Sequence, residues 1–173
     1  QQLPLVSEEK EISNTFIFTK YKKLNKQTNM VGKASVYFQA VNSLDGSDVR
    51  VSKRGYIPYY RLRGFKKGKI GPKDGNDFIG GNYVSSLNFS TNLPRLFSTM
   101  ENLDFSYFID VANVWGVDYD STIDESNKIR SSTGIAIELI SPVGPLSFSF
   151  TQPITKKSSD QTETFRFNLG TTF

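Results

Sequence analysis

Three features of this 173-residue chain predict an all-β fold, an antiparallel transmembrane β-barrel. Apolar and polar residues alternate with a period of two in segment after segment, the mark of strands with two unlike faces. Aromatic residues reach 13% although the apolar share is only 37%. That combination suits a polar interior wrapped by an aromatic-flanked lipid face. Connections alternate between short and long, as they do at the two rims of an outer-membrane barrel. A soluble β-barrel of the lipocalin type is the competing architecture.

The strands follow in chain order. Residues 3–8 suggest the end of one strand, and residues 11–24 read as another with Phe16 and Phe18 outward. Next, Met30, Gly32, Ala34, Val36, Phe38 and Ala40 share a face opposite Lys33, Ser35, Tyr37 and Gln39. Tyr83, Ser85, Leu87, Phe89 and Thr91 oppose Asn82, Ser86, Asn88, Ser90 and Asn92. Leu103, Phe105, Tyr107, Ile109, Val111 and Trp115 oppose Asp104, Ser106, Asp110 and Ala112, with Phe108 and Val114 interrupting the polar face. Thr133, Ile135, Ile137 and Leu139 oppose Ser132, Gly134, Ala136 and Glu138; Leu146, Phe148 and Phe150 oppose Ser147, Ser149 and Thr151. The last strand is the cleanest, with Phe165, Phe167, Leu169, Thr171 and Phe173 against Arg166, Asn168, Gly170 and Thr172. Seven strands result, with the eighth suggested at residues 3–8. Residues 25–29, 92–102 and 141–145 are the short connections; 44–80, 117–127 and 155–163 are the long ones. No apolar run of about 18 residues exists to make a spanning helix, but barrel strands need only ~9–11.

Composition removes most catalytic chemistry. The chain has no His and no Cys. It therefore lacks Ser-His-Asp and Cys-His pairs, thiolate nucleophiles, His or Cys metal sites and disulfides. Lys and Arg number 21 against 17 Asp and Glu, a net charge of +4. The acidic stretch Asp118, Tyr119, Asp120, Asp124, Glu125 lacks the spacing and central glycine of a calcium loop. It reads as a solvated loop. No phosphate loop and no catalytic constellation is present, so neither enzyme activity nor a metal or cofactor is expected. The chain starts at Gln1 without Met or an apolar leader, which implies processing or excision from something longer.

The long segment 44–80 is the outlier, because loops of that length usually have a function or are disordered. It carries Arg50, Lys53, Arg54, Arg61, Arg63, Lys66, Lys67, Lys69 and Lys73 among Tyr56, Tyr59, Tyr60 and Phe65. Basic residues interleaved with aromatics can bind nucleic acid, and Arg63-Gly64-Phe65 starts like an RNA-recognition strand. Lys66-Lys67 then break that motif, so no nucleic-acid partner is expected. A solvated basic loop is the plainer reading. In another, the loop folds back into a barrel lumen, where Arg63 needs an acidic partner. Asp110, mid-strand on a polar face, is the best candidate, since Asp104 and Glu138 lie nearer strand ends. Gly64 allows a sharp turn and Phe65 can anchor the tip.

Four segments, in order, together resemble the C-terminal half of the BamA family of outer-membrane barrel-assembly proteins. They are Arg61-Leu62-Arg63-Gly64-Phe65; Ile70-Gly71-Pro72-Lys73 with Gly80-Gly81-Asn82; Ile109-Asp110-Val111-Ala112-Asn113-Val114-Trp115; and Ser141-Pro142-Val143-Gly144-Pro145-Leu146 through Gln152-Pro153 to the final Phe165–Phe173 run. The first looks like the family's Val-Arg-Gly-Phe/Tyr loop signature. Two positions depart: Ile57-Pro58 stand where a Gly-Gly pair is common, and Asn88 stands where a Glu often helps to hold the signature Arg.

The resemblance implies a domain spanning residues 1–173 that supplies seven or eight strands of a sixteen-stranded barrel, with a lumen-inserting loop at 44–80. It implies a parent protein in the bacterial outer membrane that inserts and folds β-barrel proteins without covalent chemistry. Its partners would be membrane lipid, unfolded barrel clients and accessory lipoproteins. It marks Arg63, Gly64 and Phe65 as the loop signature, with Asp110 and Asn88 as lumen partners. It marks Phe165, Phe167, Leu169, Gly170 and Phe173 as the last strand, whose edge forms a seam that templates clients. Gly170 would weaken or bend that strand. A two-partner secretion transporter of the same superfamily, or a complete small eight-stranded barrel or adhesin, remain alternatives.

Overall fold

In a computed structural model, residues 10–94, 102–142 and 144–169 are described. Seven strands form one antiparallel sheet: β1 (Glu11–Asn25), β2 (Met30–Ser43), β5 (Tyr83–Asn92), β6 (Leu103–Trp115), β7 (Arg130–Ser141), β8 (Gly144–Thr155) and β9 (Phe165–Leu169), paired in that order. Among the described residues β1 and β9 are the edges, and the sheet does not close on itself. Two further strands, β3 (Lys73–Asp74) and β4 (Asp77–Phe78), form a small separate hairpin. They lie in the long segment that alternation reads as strandless; two residues per strand are too few to show a period. Turns of 3-10 helix occupy Val51–Lys53 and Tyr59–Arg61 in the same segment. The strand suggested at residues 3–8, and Gly170 and Phe173, lie outside the described residues.

Register follows the alternation. Phe16 pairs with Phe38, Val36 with Leu87, Leu87 with Val111, Ile109 with Thr133, Ile135 with Phe150, and Phe150 with Phe165. One outer face therefore gathers the apolar set, and a one-residue slip would turn it inward. Phe89, Phe150, Phe165, Phe167 and Leu169 are about half exposed there. Phe167 packs on Phe148, and Phe165 on Phe150, each at 5.1 Å between ring centroids. Near the long-loop rim, Trp115 gathers Tyr83 and Phe38 at 5.7 and 6.5 Å. A continuous exposed apolar face with aromatics at its rim fits a membrane barrel and not a soluble one.

The inner face is polar except under the long loop. There Tyr37, Val84, Ala112 and Val114 of the sheet pack with Ile57, Leu62, Phe65 and Ile70 of the loop. Phe108 and Val114, the residues that interrupt the polar alternation of β6, are fully buried. They are apolar because the loop covers them. Beyond the loop's reach, β1 exposes both of its faces, including Ile17 and Tyr21.

The outer face yields a direct test in the full-length parent. A lysine on a lipid face costs ~2–4 kcal/mol near the midplane and little near an interface. Phe167→Lys is expected to lower unfolding free energy in liposomes within that range, whereas Asn168→Lys on the inner face leaves it nearly unchanged. Spin labels at 165, 167 and 169 should report lipid; a water signal at all three would contradict the assignment.

Candidate functional site

The tip of the long loop meets the inner face of the sheet at a buried carboxylate. Asp110, on the inner face of β6, is fully buried. Its Oδ2 accepts hydrogen bonds from Arg63 Nε at 2.8 Å and from the Arg63 backbone N–H at 3.1 Å. Its Oδ1 accepts from Arg63 Nη2 at 2.9 Å and from Asn88 Nδ2 at 2.8 Å. Four donors thus converge on a group that could not otherwise be buried charged. The Arg63 guanidinium also lies over the Phe108 ring, 3.4 Å from its centroid. That stacking covers the apolar ring and leaves Arg63 only 20% exposed.

Asn88 is not a partner of Arg63 itself. Cross-strand register sets it directly opposite Asp110. Its amide therefore donates to that carboxylate, and to the Arg61 carbonyl at 2.7 Å. An amide at this position can donate to Asp110, whereas a second carboxylate would repel it. The departure at Asn88 thus changes how the clamp is made: a neutral donor beside one charged acceptor.

Gly64 and Phe65 complete the tip. Gly64 has φ +87°, and a Cβ there would lie 2.5 Å from Thr151 Cγ2. Both the backbone conformation and the space demand glycine. Phe65 is buried, and its backbone bridges to Thr162 in the β8–β9 connection. Ser132 Oγ of β7 donates to the Arg63 carbonyl at 2.5 Å. At the loop's base, Gly55 and Gly81 exchange two backbone hydrogen bonds, at 2.7 and 3.0 Å. Tyr56 donates its hydroxyl to the Phe78 carbonyl, and burial raises its pKa above the usual phenol range.

Two arginine sites lie outside the sequence reading. Arg166 of β9 donates to the Tyr59 and Phe65 carbonyls, both at 2.6 Å, and pairs with Glu163. Arg130, fully buried at the start of β7, donates twice to Asp160 at 3.0 Å, once to Asn113 Oδ1 at 3.0 Å, and pairs with Glu125. Glu125, read as part of a solvated acidic loop, is buried instead. The reason is Arg130, joined by Lys157, whose ammonium also reaches Glu125. The network ties the 116–129 and 156–164 connections together. Its partners are far apart in sequence, so alternation carries no trace of it. Of the last-strand residues, Phe165, Phe167 and Leu169 lie on the outer face, away from the Arg63 clamp.

Two substitutions probe the clamp in the full-length parent. Removing one partner of a buried pair costs ~3–5 kcal/mol. Asp110→Asn should lower stability by an amount in that range and open residues 57–70 to hydrogen exchange; unchanged exchange there would contradict the clamp. Gly64→Ala should cost at least ~1–3 kcal/mol from backbone strain alone. Adding Thr151→Ser, which removes the clashing methyl, should recover part of the loss; full recovery or none would show that strain and clash do not both operate.

The profile of the Omp85 superfamily domain matches residues 4–173. The chain is 29% identical over 139 residues to the outer membrane protein assembly factor BamA of Neisseria meningitidis serogroup B, covering 65% of this chain and 17% of that protein. It is 27% identical over 131 residues to the BamA of Neorickettsia risticii, covering 74% and 18%. It is 31% identical over 121 residues to the sorting assembly machinery 50 kDa subunit of Saccharomyces cerevisiae, covering 65% and 25%. Among solved structures, BamA from Haemophilus ducreyi lacking POTRA domains 1–3 superposes with a TM-score of 0.85 at 30% identity, covering 95% of this chain and 35% of that one. The chain spans a quarter or less of the length of these curated relatives. With an open antiparallel sheet, a lipid-type outer face and a family match across nearly its whole length, this chain belongs to the Omp85 superfamily.

Proposed function

We propose that the protein containing this chain inserts and folds β-barrel proteins in the bacterial outer membrane. The observation that carries the reading is the loop clamped to the inner face through Arg63 and Asp110, in a sheet of BamA-like architecture. Superfamily membership and relatives named as assembly factors support it. The chain contributes a C-terminal part of the barrel, with 44–80 as its lumen-inserted loop.

The physical task is strand pairing. A strand inside lipid must have its backbone hydrogen bonds made, because the bilayer offers no replacement partners. A nascent barrel segment therefore needs an existing edge to pair with. In this reading β9 supplies that edge and adds the client strand by backbone pairing. Nothing in this task requires covalent chemistry, a metal or a cofactor. Membrane lipid and unfolded barrel clients are the direct partners, with accessory lipoproteins assisting.

The experiment is reconstitution of the full-length parent in liposomes with a urea-unfolded outer-membrane barrel as client. Client folding is followed by its heat-modifiable gel mobility. The parent should accelerate folding, and Arg63→Ala should lose most of that acceleration at equal membrane insertion. No acceleration by the wild-type parent would contradict the reading.

A further inference from the structure

We propose that Arg166 is a positioning residue that fastens the last strand to the inserted loop, so that the loop sets where the free edge of β9 is presented. The proposal rests on the reading of β9 as the templating edge.

Among the described residues, β9 has the fewest pairing rungs in the sheet. Among them it pairs with β8, over five rungs from Phe165↔Phe150 to Leu169↔Leu146. Its other edge is open among the described residues. The remaining hold comes from the loop. On the inner face of β9, Arg166 is 12% exposed and donates from Nη1 to the Tyr59 carbonyl and from Nη2 to the Phe65 carbonyl, both at 2.6 Å. Its guanidinium sits 5.5 Å from the Tyr59 ring centroid, and Glu163 holds it from the other side. The segment leading into β9 is laced to the same loop. Glu163 N–H donates to the Gly64 carbonyl at 3.0 Å, Lys66 N–H to the Gln161 carbonyl at 2.9 Å, and Gln161 N–H to the Lys69 carbonyl at 3.1 Å.

The residue type matters. Two backbone carbonyls on separate turns of the loop must be reached by one side chain. A guanidinium presents donors in a rigid fork that can meet both; an ammonium is a single point, and a neutral amide offers one nitrogen. The acceptors are the carbonyl of Phe65, next to the clamped Arg63-Gly64 pair, and that of Tyr59, in the 3-10 turn. Swinging β9 away from the sheet would break both of these hydrogen bonds and take the buried Arg166 guanidinium from its acceptors, a costly change. The chain of contacts therefore runs from Asp110 through Arg63 and Phe65 to Arg166 and the open edge. Release of β9 either breaks the Arg166 contacts or carries the loop with it.

The test uses the full-length parent in liposomes with spin labels on the outer face at 87 and 167. This chain has no cysteine of its own, so labels introduced at these positions mark them uniquely within it. Pulsed dipolar spectroscopy should give one narrow distance distribution for the wild type. Arg166→Gln should broaden it or add a second population, with the released strand enriched roughly tenfold. Arg166→Lys should fall between the two. The exchange Arg166→Glu with Glu163→Arg restores an ion pair but leaves the carbonyls without the β9 donor, so its distribution should stay broad. An unchanged distribution in folded Arg166→Gln, or a narrow one in the exchanged pair, overturns the proposal. Where Arg166→Gln fails to fold, the Lys variant and the exchanged pair decide it. In the same liposomes, Arg166→Gln should alter client folding; broadening with unaltered client folding would overturn the link to edge presentation. Failure of the wild type to fold any client would instead remove the proposed function while the distance data still judged the fastening.

Discussion

A single buried carboxylate organises this structure. Asp110 is fully buried on the inner face of a strand, and four donors reach its carboxylate. Three of the four belong to Arg63, so the loop that carries Arg63 cannot leave without exposing a bare charge. Everything else at the site is arranged around that constraint. Asn88 supplies the fourth donor, Phe108 supplies a ring for the guanidinium to lie on, and Gly64 supplies a turn that no side chain would permit. The apolar patch under the loop, from Tyr37 to Val114, exists because the clamp keeps it covered.

The clamp also connects regions that strand pairing alone would leave independent. The loop arises between β2 and β5, yet it bonds to β6, β7 and β9 and to the segment before β9. It acts as a strut across the sheet's inner surface. A second buried cluster, around Arg130, does similar work among the connections at the rim. In both, an arginine with a planar set of donors meets carboxylates and carbonyls contributed by distant segments. The inner surface is thus fixed by polar contacts while the outer surface is left to lipid. That division is the inverse of a soluble domain's.

Much of this was legible in the sequence, for definite reasons. Period-two alternation marked the strands of the large sheet from β2 onward because their outer faces are apolar and their inner faces largely polar, while β1, with apolar residues on both faces, was less tidy. Asp110 stood out as a carboxylate mid-strand, and Arg63-Gly64-Phe65 as a charge, a hinge and an anchor in a loop too long to be idle. The interruptions of alternation at Phe108 and Val114 were visible too, but nothing in the pattern showed that the long loop covers them. What stayed hidden depends on contacts without sequence period. Arg166 looks like any polar residue on the inner face of β9, and its acceptors are main-chain carbonyls about a hundred positions away. Glu125 looks like a solvated loop acid until Arg130 and Lys157 are placed beside it. The β3–β4 hairpin is too short for alternation to register.

The central claim is that Arg63 and Asp110 act as one unit, and a double-mutant cycle measures that directly. The four proteins are the full-length parent, Arg63→Met, Asp110→Leu and the pair together, unfolded reversibly in lipid. Each single change strands a buried charged side chain, whereas the double change removes both; the residue-63 N–H and the Asn88 amide lose their acceptor alike in Asp110→Leu and in the double variant. The double variant should therefore be more stable than the sum of the single losses predicts, with a coupling energy of ~2–3 kcal/mol, the upper part of the range for contacting residues. Losses that add to within about 0.5 kcal/mol would show that the two residues act independently and that the loop is held by something else.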